Sequence, residues 1–336
     1  MKPSSYYQDK YIRRQPSAFC PGCGGGIILN AFVRAIDELG LSREKVLAVS
    51  GIGCSAWIPS PNFKGDTLHT THGRAIAYAT GAKAFNPDLT TVVFTGDGDG
   101  AGIGGNHLIH AARRNIDLTV ILVNNMSYAM TGGQIAPTTL HGERTVTSPY
   151  GNPESPFNIT ELVMGAGASY VAKWSTYQVV ELKNSIKEAI SHNGFGFIEV
   201  LSQCPTQQKR IFDLKGSVNE LPTRLMEMFK ESTYIKGRPM RNKYFYALPE
   251  SSLQHTLEEI KDLAQDILPV DHMALGRVVR VNADPNKYRE CVDSLESVKS
   301  TAGPRDEKIE LGVFRKVERP EFTESLQGII SRARGE

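Results

Sequence analysis

The chain has 336 residues, of which 40% are hydrophobic and 22% are charged, and its formal net charge is +2. This length and composition are typical of one large globular domain, or of one domain plus an extension. The near balance of charge argues against a dedicated nucleic-acid binder, and no apolar run reaches the roughly twenty residues of a membrane helix. The first residues lack the apolar region of a secretory signal, so we expect a cytoplasmic protein that binds neither membrane nor nucleic acid.

Predicted helices and strands alternate over the first 205 residues. Apolar residues at helical spacing predict helices over 27–39, 75–84, 104–114 and 177–190, and short apolar runs predict strands over 45–50, 91–95, 118–123 and 197–202. Such alternation is typical of an α/β fold with a mostly parallel sheet flanked by helices. Residues 126–160 are predicted to form a long loop, which is uncommon unless the loop covers a functional site.

Predicted strands and helices no longer alternate beyond residue 205. We therefore assign residues 1–205 to one domain and residues 206–336 to a mainly helical C-terminal extension that packs on this domain or on a partner subunit. Helical periodicity predicts helices over 252–268 and 284–299, and Cys291 falls on the apolar face of the second. That position favours a packing role for Cys291.

The most informative motif lies within residues 96–125, where Gly-Asp-Gly at 96–98 ends one predicted strand and Asn124-Asn125 ends the next. Neighbouring parallel strands end at the same edge of a sheet, so Asp97 and Asn125 should lie close together. Their carboxylate and amide oxygens suit Mg²⁺, and the glycines let backbone N–H groups approach a diphosphate. Residues 100–105 also satisfy the GxGxxG dinucleotide fingerprint, but no acid ends the following strand as a nicotinamide site requires.

This pattern resembles the GDG…NN signature of thiamine-diphosphate enzymes. The resemblance implies a thiamine-diphosphate-binding fold. It also implies that Asp97 and Asn125 bind Mg²⁺ through their side chains, and that Ser127 binds it through its main-chain carbonyl.

Five cysteines are few and odd in number, which argues against a disulfide framework. Cys20 and Cys23 form a Cys-x-x-Cys pair, whereas Cys54 and Cys204 each follow a predicted strand. Four thiolates can hold Zn²⁺ or an iron–sulfur cluster, and spacing alone does not separate the two. One close pair joined by two distant cysteines, the last followed by proline, favours a cluster. A cluster would also give the electrons released by thiamine-dependent decarboxylation of a 2-oxo acid a path to a ferredoxin.

A set of short motifs occurs in order between residues 15 and 210. They are Cys-Pro-Gly-Cys-Gly at 20–24, Gly-Ile-Gly-Cys-Ser at 51–55, His-Gly-Arg at 72–74, Gly-Asp-Gly-Asp at 96–99, Ile-Gly-Gly-Asn-His at 103–107, Asn-Asn at 124–125, Thr-Gly-Gly-Gln at 131–134 and Gln-Cys-Pro-Thr at 203–206. Together they resemble the β subunit of 2-oxoacid:ferredoxin oxidoreductases, and most of all its 2-oxoglutarate branch.

The resemblance implies an oxidoreductase subunit with thiamine diphosphate, Mg²⁺ and a [4Fe–4S] cluster as cofactors and coenzyme A as co-substrate. The implied reaction is the reversible oxidative decarboxylation of a 2-oxo acid, best assigned as 2-oxoglutarate to succinyl-CoA, with electrons passing through the cluster to ferredoxin. The implied cluster ligands are Cys20, Cys23, Cys54 and Cys204. The implied cofactor-binding residues are Gly53, Cys54, Ser55, His72, Gly96, Gly98, Asp99 and Thr131, of which His72 is also the catalytic candidate.

Three further residues are candidates for the substrate pocket. Trp57 and Met130 stand where other members of the family often have smaller or charged residues, and both should border the substrate cavity. Lys64 lies in a loop rich in proline, asparagine and glycine, and its ammonium group could meet a distal carboxylate of the substrate.

In the family, an α subunit supplies the glutamate that activates the aminopyrimidine and much of the pocket for the 2-oxo acid and coenzyme A. We therefore expect an α₂β₂ heterotetramer that reduces ferredoxin, and we expect this chain to be inactive alone.

The residues leave two other functions open. One is a non-redox thiamine-diphosphate lyase of the decarboxylase or acetolactate type with structural zinc. The other is a non-catalytic scaffold subunit that holds an iron–sulfur cluster or zinc.

Overall fold

The structure, a computed structural model, describes residues 2–13, 18–207, 233–235 and 309–334. The chain divides into two compact units, one of residues 1–226 with 315–336 and the other of residues 227–314. The first unit contains every predicted site residue. The helices predicted over 252–268 and 284–299 lie outside the described residues, and the division of the chain at residue 205 stays a prediction.

Helices and strands alternate along the first unit. The helices are α1 (Ser4–Tyr11), α2 (Gly25–Glu38), α3 (Ala75–Phe85), α4 (Gly105–Arg114), α5 (Ile159–Ala166), α6 (Val179–Ser191) and α7 (Phe322–Arg334). The strands are β1 (Val46–Ser50), β2 (Asp66–His69), β3 (Thr90–Gly96), β4 (Thr119–Asn124), β5 (Tyr170–Ser175) and β6 (Gly196–Leu201). In the second unit, β7 (Thr233–Ile235) pairs in parallel with the start of β8 (Ile309–Lys316).

The six strands β1 to β6 form a parallel sheet in the order β2-β1-β3-β4-β6-β5. This confirms the predicted α/β class and each of the predicted strands. The sequence analysis did not identify β2, β5, α1 or α5. Because all six strands run in one direction, the loops that follow them emerge at a single edge of the sheet.

Two groups of helices cover the sheet: α2 packs against α6, and α4 packs against both α3 and α5. Burial on both faces explains why the central strands read as continuous apolar runs rather than as alternating patterns. Phe32 of α2 is fully buried and meets the rings of Phe63 and Phe94 edge-on, with centroids 5.3 and 5.1 Å away. None of the helices in the described ranges is long and apolar enough to span a lipid bilayer.

Replacing Phe32 by alanine should destabilise the first unit by about 3–5 kcal/mol, since truncating a buried phenylalanine removes apolar contacts and leaves a cavity. Phe85 is a matched control because its side chain is 92% exposed, and Phe85→Ala should change the free energy of unfolding by less than about 0.5 kcal/mol. Tryptophan fluorescence during urea denaturation measures both, as the two tryptophans, Trp57 and Trp174, lie in this unit. Equal effects of the two substitutions would contradict the packing described here.

Candidate active site

The carboxyl ends of four adjacent strands border one cavity of about 400 Å³. The loops after β1, β3, β4 and β6 bring Cys54, Asp97, Asn125 and Cys204 to its wall. The first loop of the chain adds Cys20 and Cys23 from a different direction. One cavity thus collects cysteines that are far apart in the chain, from Cys20 to Cys204.

All but one of the predicted site residues line this cavity. They are Cys20, Cys23, Gly53, Cys54, Ser55, Trp57, His72, Gly96, Asp97, Gly98, Asp99, Asn125, Ser127, Met130, Thr131 and Cys204. The exception is Lys64, whose Nζ donates a 2.5 Å hydrogen bond to the carbonyl of Asp9, away from the cavity lining.

Asp97 provides a buried carboxylate at the end of β3. Its side chain is 3% exposed, and its Oδ2 accepts a 2.5 Å hydrogen bond from Thr138 Oγ1. Burial raises the pKa of Asp97 to about 6, against the opposing hydrogen bonds from Thr138 and from the backbone of Gly98. A nearby cation stabilises the charged form of such a carboxylate, so the environment of Asp97 suits a metal ligand.

The turn after β4 places further oxygen atoms beside Asp97 along the same cavity. Ser127 N donates to Asn125 Oδ1 at 3.3 Å, which closes the turn. Ser127 is 3% exposed, and its Oγ has no hydrogen-bond partner among the described residues. A carboxylate, an amide oxygen and an unsatisfied polar group at one wall fit a hard cation such as Mg²⁺, which takes oxygen ligands.

The carboxylate of Asp99, 3% exposed, binds donors from three segments of the chain. Its Oδ1 accepts from Gly73 N at 2.7 Å and from Ile52 N at 3.2 Å. The ring nitrogen His72 Nδ1 lies 2.5 Å from the same oxygen, and Thr95 Oγ1 lies 2.5 Å from Oδ2. The side chain of Asp99 is therefore occupied by protein donors, and only its backbone is left to face a diphosphate.

These contacts fix the tautomer of His72. Because Asp99 Oδ1 already accepts two backbone N–H bonds, it acts as an acceptor, and His72 Nδ1 must carry the hydrogen. The other ring nitrogen, Nε2, is then the atom available to the cavity. A Cβ on Gly51 would collide with the Asp99 carboxylate, so the close approach of these two segments requires glycine at position 51.

The glycine-rich segment after Asp97 forms a turn of π-helix, Gly98–Ile103, before α4 begins at Gly105. The sequence predicted only the helix that follows. Turns of π-helix are frequent at functional sites, and N–H groups at the start of a helix suit an anionic ligand. Tyr128 closes over the turn, with its hydroxyl donating to the carbonyl of Gly98 at 3.3 Å.

Thr131 lies at the tip of a small hairpin between Tyr128 and Gln134. Its Oγ1 lies 3.3 Å from the Tyr128 carbonyl and 2.6 Å from Gln134 Oε1. The hairpin therefore holds Thr131 at the wall of the cavity through its own internal hydrogen bonds.

The Cys-x-x-Cys loop packs against the loop that carries Cys204. Cys23 N donates to the Cys20 carbonyl at 3.0 Å, which forms a tight turn, and Gly24 N donates to the Gln203 carbonyl at 3.4 Å. A Cβ on Gly24 would collide with Ser202, so only glycine allows this close packing. The two cysteine loops are thereby held side by side.

The four cysteines that line the cavity are not joined by disulfides. Burial, together with the neighbouring cysteines, raises the pKa of Cys23 to about 11 and that of Cys54 to about 12. Metal coordination deprotonates such thiols outright. Within the described residues, no three His, Cys, Asp or Glu side chains converge on a single metal ion. A [4Fe–4S] cluster spreads its four thiolates over four irons, so its ligands need not converge on one point.

Sequence reasoning missed two residues that shape the site, Thr138 and Tyr128. Thr138 binds the carboxylate of Asp97, and Tyr128 covers Gly98. Both belong to the long segment 126–160, which was predicted to cover a site. The length of that segment was the available signal, but no motif within it singles out these side chains.

Comparisons with known proteins agree with this geometry. Residues 51–200 match the family model described as thiamine pyrophosphate enzyme, C-terminal TPP binding domain. The chain is 51% identical over 234 residues to the 2-oxoglutarate synthase subunit KorB of Methanothermobacter marburgensis, covering 69% of this chain and 80% of that protein. It is 47% identical over 189 residues to the β subunit of 2-oxoacid:ferredoxin oxidoreductase of Saccharolobus solfataricus, covering 56% of this chain and 62% of that protein.

A solved structure is similar over almost the whole chain. It is the 2-oxoglutarate:ferredoxin oxidoreductase from Magnetococcus marinus with 2-oxoglutarate, coenzyme A and succinyl-CoA bound. The TM-score is 0.71 at 30% sequence identity, over 98% of this chain and 91% of that one. With the fold, the cavity and these similarities in agreement, the chain belongs to the family of β subunits, named KorB in several members, of the 2-oxoglutarate and 2-oxoacid:ferredoxin oxidoreductases.

Proposed function

We propose that the chain is the thiamine-diphosphate-binding β subunit of a 2-oxoglutarate:ferredoxin oxidoreductase. The complete enzyme would convert 2-oxoglutarate and coenzyme A to succinyl-CoA and CO₂, pass one electron to each of two ferredoxins, and also run in reverse. One observation carries the proposal: the predicted cation ligands and four cysteines line the same cavity. The Magnetococcus marinus enzyme, solved with 2-oxoglutarate and coenzyme A, supports this choice of substrates.

Three residues would hold Mg²⁺: Asp97 and Asn125 through their side chains, and Ser127 through its carbonyl. The diphosphate would lie against the backbone of Gly98 and Asp99, near Thr131, with Gly53, Ser55 and Gly96 around the cofactor. When bound, thiamine diphosphate supplies the nucleophile that adds to a 2-oxo acid and allows the loss of CO₂.

Cys20, Cys23, Cys54 and Cys204 would ligate a [4Fe–4S] cluster at the other side of the same cavity. Their loops are held together by Gly24 and by the hydrogen bond from Gly24 N to Gln203. Iron–sulfur clusters reach reduction potentials near −700 mV, low enough to accept electrons from decarboxylation and to reduce a ferredoxin. The shared cavity supports direct electron transfer between the two cofactor sites.

The residues of this chain would orient the reacting groups. Asp99 holds the hydrogen of His72 on Nδ1, so His72 would present Nε2 to the cofactor as a hydrogen-bonding atom. Trp57 and Met130, which are 37% and 48% exposed at the cavity, would border the 2-oxo acid. Both side chains are large and apolar, and they would limit the access of water to the reacting carbon.

A partner subunit would complete the site. The acids among the described residues that line the cavity are Asp97 and Asp99, and each already accepts hydrogen bonds from the protein. This supports an α subunit as the source of the glutamate that activates the aminopyrimidine, in an α₂β₂ assembly that reduces ferredoxin. Free cysteines and an oxygen-sensitive cluster suit the reducing cytoplasm.

The decisive test of the proposal uses the chain co-expressed with its α subunit and purified under strict exclusion of oxygen. Adding 2-oxoglutarate and coenzyme A should reduce a one-electron dye and produce the electron paramagnetic resonance signal of a reduced [4Fe–4S] cluster. Other 2-oxo acids should react more slowly, and the chain alone should be inactive. Aldehyde release without dye reduction would instead indicate a non-redox lyase, and failure to bind thiamine diphosphate would indicate a scaffold subunit.

Replacing any one of Cys20, Cys23, Cys54 or Cys204 by serine should abolish or strongly reduce the bound iron, because each thiolate would ligate a different iron of the cluster. Iron and sulfide analysis of anaerobic preparations measures this. Cys291→Ser is the matched control and should leave the iron content unchanged. Zinc in place of iron in the unmodified chain would contradict the cluster assignment.

Asp97→Asn should weaken Mg²⁺-dependent binding of thiamine diphosphate by at least about 100-fold, since loss of an outer-sphere partner alone typically costs 10–100-fold in metal affinity. Isothermal titration calorimetry with thiamine diphosphate at fixed Mg²⁺ measures the change. Asp88→Asn, on an exposed residue between α3 and β3, is the control and should bind as the unmodified chain does. Unchanged affinity in Asp97→Asn would show that the cation lies elsewhere.

A further inference from the structure

A buried glutamate in the centre of the sheet has no part in the chemistry described so far. Glu199 of β6 is 1% exposed. Its Oε1 accepts a 2.8 Å hydrogen bond from Asn124 Nδ2, and its Oε2 accepts a 2.6 Å bond from Thr160 Oγ1. Lys173 is paired with Glu199 on the adjacent strand β5. Its Nζ lies 3.2 Å from Glu199 Oε2 and balances the negative charge of the carboxylate. A carboxylate this deeply buried is tolerated only with such partners.

Asn124 connects this glutamate to the turn that follows β4. Its amide nitrogen donates to Glu199, and its Oδ1 accepts a 3.0 Å hydrogen bond from Met126 N. Met126 has φ +59°, a left-handed conformation that residues with a side chain rarely adopt. The Met126 carbonyl also accepts a 2.7 Å bond from Thr139 Oγ1. The side chains of Asn124 and Thr139 thus hold Met126 in this unfavourable conformation, one through its N–H and the other through its carbonyl.

The two residues that flank Met126 are the proposed cation ligands of this turn. Asn125 and Ser127 line the cavity, and Ser127 N donates to Asn125 Oδ1. If Asn124 rotated, Met126 N would lose its bond to Asn124 Oδ1 and keep only its bond to the Asp97 carboxylate, so the left-handed residue between the two ligands would be held less firmly. The direction of the Ser127 carbonyl therefore depends on Asn124, and Asn124 depends on Glu199.

We propose that Glu199 is a positioning residue for the cation site: through Asn124, it fixes the turn that directs Asn125 and the Ser127 carbonyl toward Mg²⁺. The inference rests on the proposed function, because it assumes that this turn binds the cation. Glu199 itself touches neither metal nor cofactor. Its negative charge is neutralised by Lys173 within the sheet, so its contribution to the site is geometric.

Glu199→Ala removes the acceptor of Asn124 and should raise the dissociation constant of Mg²⁺ by 10–100-fold, the range found for outer-sphere partners of metal ligands. Glu199→Gln can still accept from Asn124 and donate to Thr160, but it leaves Lys173 without its carboxylate partner. It should therefore lower thermal stability and yet keep the Mg²⁺ dissociation constant within about threefold of that of the unmodified protein. Asn124→Ala should raise the dissociation constant as Glu199→Ala does. The double variant, with Glu199→Ala and Asn124→Ala together, should have the same Mg²⁺ dissociation constant as either single variant, because both substitutions break the same connection.

Glu321 provides the matched control. It is also a buried glutamate, 3% exposed, and it accepts backbone hydrogen bonds from Asp117 N at 2.9 Å and Glu324 N at 2.8 Å. These residues do not line the cavity. Glu321→Ala should lower the thermal stability of the chain, as Glu199→Ala does, without changing the Mg²⁺ dissociation constant.

The experiment is a calorimetric titration with Mg²⁺ of the chain co-purified with its α subunit, at saturating thiamine diphosphate, alongside thermal unfolding of each variant. A selective loss of Mg²⁺ affinity in Glu199→Ala and Asn124→Ala, with recovery in Glu199→Gln, supports the inference. Unchanged affinity in Glu199→Ala, or an equal loss in Glu321→Ala, overturns it while leaving the proposed function intact. If Glu199→Ala does not fold, Asn124→Ala decides. An unmodified complex that binds no Mg²⁺ with thiamine diphosphate overturns the proposed function, and the inference with it.

Discussion

The carboxylate of Asp99 connects three of the segments that border the cavity. It accepts hydrogen bonds from the loop before Cys54, from the loop that holds His72, and from Thr95 in the strand that leads to Asp97. These donors and their acceptor are shielded from water, so losing one partner would leave buried polar groups unsatisfied, at about 1–3 kcal/mol each. Asp99 thus links the loop that carries Cys54 to the strand that leads to the proposed cation site.

Charge explains why the cavity should contain metal centres. It gathers a buried aspartate, Asp97, and two partly buried thiols, Cys23 and Cys54, whose pKa values are raised because burial disfavours their charged forms. A bound cation offsets the cost of burying the charged carboxylate or thiolate. The two groups of ligands differ in chemistry, so each suits a different kind of metal centre. Oxygen donors after β3 and β4 suit Mg²⁺, whereas thiols on three separate loops suit a soft, polynuclear centre.

Much of the fold and the composition of the site could be predicted from the sequence, because both follow from local patterns. Apolar runs identified β1, β3, β4 and β6, and the parallel direction of these strands placed their following loops at one edge. Strand β5 was missed because Lys173 interrupts its apolar pattern. That lysine is explained by Glu199 on the neighbouring strand, a pairing that depends on strand order and that no local pattern reveals.

The contacts within the site were harder to predict because they join residues that are distant in the chain, and local patterns do not reveal such pairs. The family resemblance implied that Asp99 lies near the diphosphate, but two of its side-chain partners come from segments 47 and 26 residues away in the chain. Lys64 was a candidate for the substrate carboxylate because of its charge, yet its ammonium group binds the carbonyl of Asp9 in α1. Helix α1 itself was not predicted, so this alternative partner could not be considered.

The central claim is that a thiamine diphosphate site and a four-cysteine cluster share one cavity. Anomalous diffraction from crystals grown without oxygen, in the presence of Mg²⁺ and thiamine diphosphate, tests it most directly. The account predicts an iron peak enclosed by Cys20, Cys23, Cys54 and Cys204, and cofactor density against Asp97 and Asn125 on the opposite wall. A zinc peak at the cysteines, or a cofactor bound outside this cavity, would contradict it.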